Sequence, residues 1–316
     1  MAGWAQGRSR PGKAGSPRRA VCALLLWAGV AILGSPMGAQ TILDFREELD
    51  RERPEAWAMA YFGSLVILTR LAEPTDLAAG EWTVGVEGGW VPSLSEEERR
   101  VGFDGAKVED LNRTSAVGRV RGAVGLPGRF VLGLAWMPPL EVDGMEANLV
   151  SASLGRSMAL RGRWRLGVRG TLTDGEIEGD ITCDRATVAA GDDPIANPFG
   201  CLEPSRDQMS LRVASVELLL SRDGRAGRWS PFGGVLGSWF DNEFEVDARY
   251  GDIVDRTRLE AEHAAGALVL GVVHRSARRW SWAGEVFYTP LRVRRASGTE
   301  TDALLHGRLH LTYRLP

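Results

Sequence analysis

Nine charged residues, Glu81, Glu87, Arg119, Arg121, Arg165, Arg169, Glu217, Glu285 and Arg308, share a feature of placement. Each falls on one parity of a stretch whose other parity is apolar. A β-strand sends alternate side chains to opposite faces, so this spacing gathers carboxylates and guanidinium groups on one side of a sheet. Together such groups bind charge: the planar fork of an arginine takes a carboxylate through two parallel bonds. Enclosed in a narrow space, the set either forms a polar constriction around a small solute or pairs off into a salt-bridged plug. A slip of one residue in register reverses every assignment.

The remaining chemistry-bearing residues are few. Cys183 and Cys201 bracket an acidic, Pro- and Gly-containing segment. An even cysteine pair in an exported chain reads as a disulfide, and it would close a loop of about 19 residues. Asp180, Asp192, Asp193, Glu203 and Asp207 offer oxygens to Ca²⁺, but their spacing is not that of an EF-hand, so they read as acidic surface and no metal is expected. His263 follows the acidic stretch Asp241 to Asp255, the one hint of acid–base chemistry at a rim. No serine-hydrolase, zinc-protease or phosphate-loop motif occurs, and no cofactor is expected. The enzyme question stays open, with a non-enzyme preferred.

The elements that would hold these residues are strands. Alternation runs through Glu81 to Val91, Val117 to Leu126, Phe130 to Trp136, Ala147 to Leu154, Trp164 to Thr173, Met209 to Leu220, Trp229 to Phe240, Leu259 to Val273, Trp280 to Val293 and Leu304 to Leu315. The connections alternate between short turns, such as Pro127-Gly128, and longer loops, such as Gly175 to Gln208. Ten strands put both ends of the strand series on the short-turn side; twelve is the alternative count. Trp82, Trp90, Trp136, Trp164, Trp280, Trp282 and Tyr288 lie near strand ends on the apolar parity, as interfacial aromatics do. Ahead of the strands, Thr41 to Arg53 is polar and helix-like. Pro54 ends or restarts it, and Ala56 to Leu71 is apolar and ambiguous between helix and strand.

The first 39 residues read as a cleaved signal peptide: five basic residues, the 15-residue apolar run Ala20 to Gly34, then Ser35-Pro36 and the small Ala39. Without that leader, 33 of the 38 basic residues face 41 acidic ones, a net charge of about −8. That balance argues against nucleic acid as a partner. The expected division is a signal peptide over 1–39, a helical segment over 40–79 that is periplasmic or a plug, and a strand domain over 80–316.

A leader followed by about ten amphipathic strands with alternating connections is the pattern of an outer-membrane barrel. The leader, the strand series from Glu81 and the closing stretch His306 to Pro316 resemble those of bacterial outer-membrane β-barrel proteins. In that set the last strand alternates and commonly ends in an aromatic residue; this chain ends Leu315-Pro316, with its aromatic at Tyr313. The resemblance implies an all-β, closed antiparallel transmembrane barrel in a Gram-negative outer membrane. It implies contact with lipids and lipopolysaccharide, and with the barrel-assembly machinery through the C-terminal strand. The expected function is a porin-like, narrow transport channel or a binding barrel for a small solute. The alternatives are a surface-interaction barrel with a closed lumen and a rim protease.

Overall fold

The computed structural model of the chain describes residues 40–69, 77–224, 228–276 and 279–315; the expected leader, 1–39, lies outside them. Ten long strands follow one another: β1 (Trp82–Trp90), β2 (Ala116–Leu126), β3 (Phe130–Met137), β4 (Met145–Ala159), β5 (Trp164–Gly179), β6 (Asp207–Arg222), β7 (Trp229–Glu245), β8 (Arg258–Arg275), β9 (Trp280–Arg295) and β10 (Gly298–Arg314). Each pairs antiparallel with its sequence neighbours, and β10 pairs with β1 to close the cylinder. Closure removes the open edges that a sheet otherwise exposes. The strand count is ten, not twelve.

Several strands outrun the hydrophobic alternation that announces them. β5 continues to Gly179, and β7 to Glu245. The period of two persists there, but the outward parity turns from apolar to charged. Asp174, Arg212, Asp241 and Glu262 stand side by side in one registered row across β5 to β8. Below that row the outward side chains are Leu172, Ala214, Trp239 and Ala264 and their apolar successors. Leu270 is 69% exposed, Leu309 67% and Leu172 64%. So much exposed hydrocarbon around a whole cylinder marks a surface not made for water. Trp229 and Trp239 bracket this band on β7, both outward. Ten residues at about 3.3 Å each, tilted near 40°, separate them by about 25 Å along the axis, the height of a bilayer-facing belt.

The N-terminal segment departs from expectation. Thr41 to Arg53 is not helical. Thr41–Leu43 pairs parallel with Ile253–Asp255, and Arg46–Glu48 pairs parallel with Arg258–Glu260. Unpaired backbone at the long-loop end recruits this polar chain into short strands. The described chain therefore starts at the long-loop end, while β1 begins and β10 finishes at the short-turn end. Helix α1 (Pro54–Val66) starts at Pro54, whose missing N–H costs nothing in a first turn. Its apolar character on every side, which made it ambiguous in sequence, suits a helix buried all round. Trp57 and Tyr61 are fully buried, and α1 packs on β7, β8 and β9 from inside the cylinder. At Gly63 a Cβ would lie 2.6 Å from the Phe240 ring, so only glycine lets the helix approach the wall there.

Loops cap the long-loop end. Cys183 and Cys201 form a disulfide, and Val246, Ala248 and Tyr250 pack around it. By the chain-entropy account, a loop of this length is stabilised by about 3 kcal/mol. Replacing both cysteines with serine should leave the heat-modifiable gel migration of the barrel unchanged and sharply speed proteolysis within 184–200. Equal proteolysis rates in the two proteins would contradict this role.

Candidate functional site

A helix that ends inside a barrel leaves its last carbonyls without intrahelical partners, and buried as they are they must be paired. α1 carries no basic residue in its own last turn. The wall supplies the donors instead. Arg308 donates to the carbonyls of Leu65 and Ile67, Arg119 to that of Val66 at 3.1 Å, and Arg121 and Arg169 to that of Thr69 at 2.9 and 2.7 Å. These cations also face the negative end of the helix dipole. Two carboxylates hold three of these arginines in turn. Glu87 lies 3.1 Å from Arg119, 2.6 Å from Arg121 and 3.8 Å from Arg308, and Glu285 lies 4.0 Å from Arg308 and accepts from Thr69. Arg308 also lies over the Phe287 ring.

Of the nine residues singled out by parity, Glu87, Arg119, Arg121, Arg169, Glu217, Glu285 and Arg308 are buried on the inward face. Glu81 and Arg165 sit at the short-turn rim, where Arg165 pairs with Asp223 at 2.8 Å and Glu81 lies 3.8 Å from Arg314. His263 faces inward beside Phe240, whereas Asp241 points outward to Arg212. The two lie on opposite faces of the wall, so His263 and Asp241 do not meet. Of the acidic loop residues, Asp180 is held by Arg113 and Arg185, and Asp207 by Ser205 and the Thr182 N–H, whereas Asp192, Asp193 and Glu203 are exposed. What sequence reasoning missed is the acceptor side of the arginine set, because backbone carbonyls leave no trace in residue identity.

A second feature lies above α1. A cavity of about 190 Å³ is lined by Leu43, Phe45, Met59, Phe62, Met209 and Phe244, with Glu109, paired to Lys107, at its edge. Glu109 fits because Gly102 leaves the space: a Cβ there would lie 2.1 Å from Glu109 Oε1. Phe103 borders the cavity with φ at +51°, a left-handed conformation rare for a bulky residue, and its ring meets those of Phe199 and Tyr250. Burial pushes the Glu109 carboxyl up to about 7, against the pull of Lys107 Nζ at 2.8 Å. Burial likewise raises Asp207 to about 6, opposed by the groups that donate to it.

The closed ladder, the apolar exterior and its aromatic borders decide the architecture. The chain is built as an outer-membrane-type β-barrel. No family model matches it, and no curated protein does. Among solved structures it is similar to the translocator domain of the autotransporter NalP from Neisseria meningitidis, at 10% identity over 81% of this chain and 92% of that one, with a TM-score of 0.38. It is similar to the Yersinia pestis attachment invasion locus protein Ail, at 9% identity over 76% and 100%, with a TM-score of 0.30. It is also similar to the Escherichia coli outer-membrane protease OmpT, at 10% identity over 74% and 92%, with a TM-score of 0.35. Likeness of this degree carries no functional argument, and the function must come from the chain's own geometry.

Two outcomes follow from the site. Arg308→Met strands two carbonyls and undercompensates Glu87 and Glu285, so unfolding in a heat-modifiability series should show a loss of about 3–5 kcal/mol. Arg212→Met, at an exposed pair, should cost under about 1 kcal/mol. The pH dependence of the cap runs opposite to that of a salt-bridged acid. Glu109 and Asp207 release protons at higher pH when folded than their ordinary values of 4.5 and 3.8. The folded cap therefore holds more protons between about pH 4 and 7, and their contribution falls as pH rises through that window. Glu109→Gln should flatten the upper part of this fall in hydrogen exchange of the cap amides, leaving the lower part to Asp207.

Proposed function

We propose that the protein sits in a bacterial outer membrane as a closed-lumen binding barrel, and that the cavity above α1 receives a small apolar molecule from the long-loop side. Lipid and lipopolysaccharide surround the apolar belt, and β10 presents its alternating face to the assembly machinery. The observation that carries the reading is the pairing of an apolar cavity with a lumen occupied by a buried, clamped helix. A polar solute channel needs a continuous wet path. Here the inward arginines are turned onto the carbonyls of α1's last turn and of Ile67 and Thr69 beyond it, and onto the carboxylates Glu87 and Glu285, so they serve closure rather than conduction. An engineered apolar cavity of about 150 Å³ stays dry and binds benzene. The 190 Å³ here suits a single ring or a short hydrocarbon chain. The charged loop edge around it, with Arg53, Glu55 and Glu109, would orient a polar end toward water.

The test pairs two measurements on the refolded chain. In a planar bilayer the protein should insert and stay electrically silent; steady openings would overturn the closed lumen. Calorimetric titration with benzene should saturate for the natural chain and weaken at least tenfold for Ala58→Trp, which fills the cavity. Comparing the two proteins in the same detergent cancels partition into micelles, and indistinguishable titrations would remove the binding reading.

A further inference from the structure

The wall of the barrel is uneven in height. β1, β2 and β3 have 9, 11 and 8 residues, whereas β4 to β10 have 15 to 18. The ladder between β2 and β3 stops at the pair Val120 and Trp136. β2 continues upward over 116–119, but the chain facing it enters Pro138-Pro139, and proline has no N–H to extend a ladder. On the other side β4 begins at Met145, yet its pairing with β3 starts only at Leu149. Residues 116–119 and 145–148 thus bound a break in the sheet.

Behind the break lies a cavity of about 550 Å³, within the range of ligand pockets. Its inner lining includes Phe62 and Leu65 of α1 with Met137, Met145 and Ile177 from the wall. Glu87 and Arg119 border it and hold each other at 3.1 Å. Toward the outside it is flanked by Val86, Val120 and Leu140, which are 54%, 44% and 67% exposed. Phe62 also lines the cavity above α1, so one ring separates the two spaces.

We propose that this break is a lateral window that admits the hydrocarbon chain of a membrane lipid into the space beside α1. Position supports it. β5 to β8 carry their ladders on past the apolar belt behind the charged row from Asp174 to Glu262, so their upper parts stand in water. β1 and β3 end instead at the aromatic border, at Trp90 and Trp136, which are 55% and 45% exposed. The window therefore opens at the edge of the belt, where hydrocarbon is the surrounding medium. Chemistry supports it as well: the Met137, Met145 and aliphatic part of the lining is apolar, and flexible thioethers adapt to a mobile chain. The inference rests on the membrane placement proposed above and is independent of the cavity that would bind benzene.

The experiment uses the full chain reconstituted in phosphatidylcholine vesicles containing a lipid with a diazirine at the end of one acyl chain. After irradiation, adducts are mapped by mass spectrometry. Adducts are expected on outward residues of β2 and β3, such as Val120 and Leu134, and also on the peptide carrying Phe62 and Leu65. Ala147→Trp, which fills the opening from β4, should cut labelling of that inner peptide at least tenfold while outward labelling and heat-modifiable migration stay as they were. Ala147→Leu, with a smaller cut, serves if the tryptophan disturbs folding. Outward adducts without inner ones would overturn the window alone. Absence of outward adducts would overturn the membrane placement and the window with it. Inner labelling unaffected by either substitution would show that the lipid enters elsewhere, and would also overturn the window.

Discussion

The end of a helix buried in a protein interior must find donors for its last carbonyls, and this barrel is organised around that need. α1 brings acceptors and no cation of its own; Arg119 on β2 and Arg308 on β10 answer its last turn from the wall, while Arg121 on β2 and Arg169 on β5 hold the carbonyl of Thr69 just beyond it. Each guanidinium is itself a charge taken out of water, costly unless paired. Glu87 and Glu285 supply that pairing for Arg119, Arg121 and Arg308, so helix, arginines and carboxylates form one connected set. This explains why an inward face of mixed charge coexists with an apolar helix. The charges meet backbone and one another, while the helix offers its hydrocarbon to Phe240, Phe287 and the other inward apolar residues of the wall.

The outside of the wall obeys a different solvent. Outward side chains are apolar across the belt and become charged in a single registered row, while the inward parity keeps its own logic past that row. The two faces of one strand thus report two environments along its length. The strands that stop at the border, β1 to β3, are those beside the break at Pro138-Pro139. The strands that continue above it, β5 to β8, carry the disulfide-braced cap and the N-terminal pairings. Height of wall and elaboration of loops go together because a cap needs strands that rise into water to stand on.

How far this was legible in the sequence follows from where the information sits. Strand existence, order and inward parity could be read because period-two alternation is local. Strand ends could not, because alternation of hydrophobicity fades at Asp174 or Asp241 while the backbone pairing does not. Seven of the nine parity-selected residues lie in the interior, and the two at the rim, Glu81 and Arg165, stand at the short-turn start of their strands. The short strands at Thr41–Leu43 and Arg46–Glu48 were unreadable, since their partners lie over 200 residues away and their polar sequence resembles an exposed helix. α1 was ambiguous because burial on all sides erases the periodicity that distinguishes helix from strand. The carbonyls that the arginines grip are invisible to any reading of side chains.

The path of the chain has a consequence for assembly. At Glu48 the chain is on the loop side of the cylinder, and at Gly80 it is on the turn side, with α1 inside between them. A finished, closed tube with this interior has no room for a paired and capped segment to be drawn through it. The seam between β10 and β1 is among the shorter ladders, joining Gly307–Arg314 to Thr83–Trp90, and Arg308 stands on it. A sheet that wraps around α1 before Gly307–Arg314 meets Thr83–Trp90 encounters no such obstacle. The barrel is less a channel that was later stoppered than a sleeve fastened around its filling.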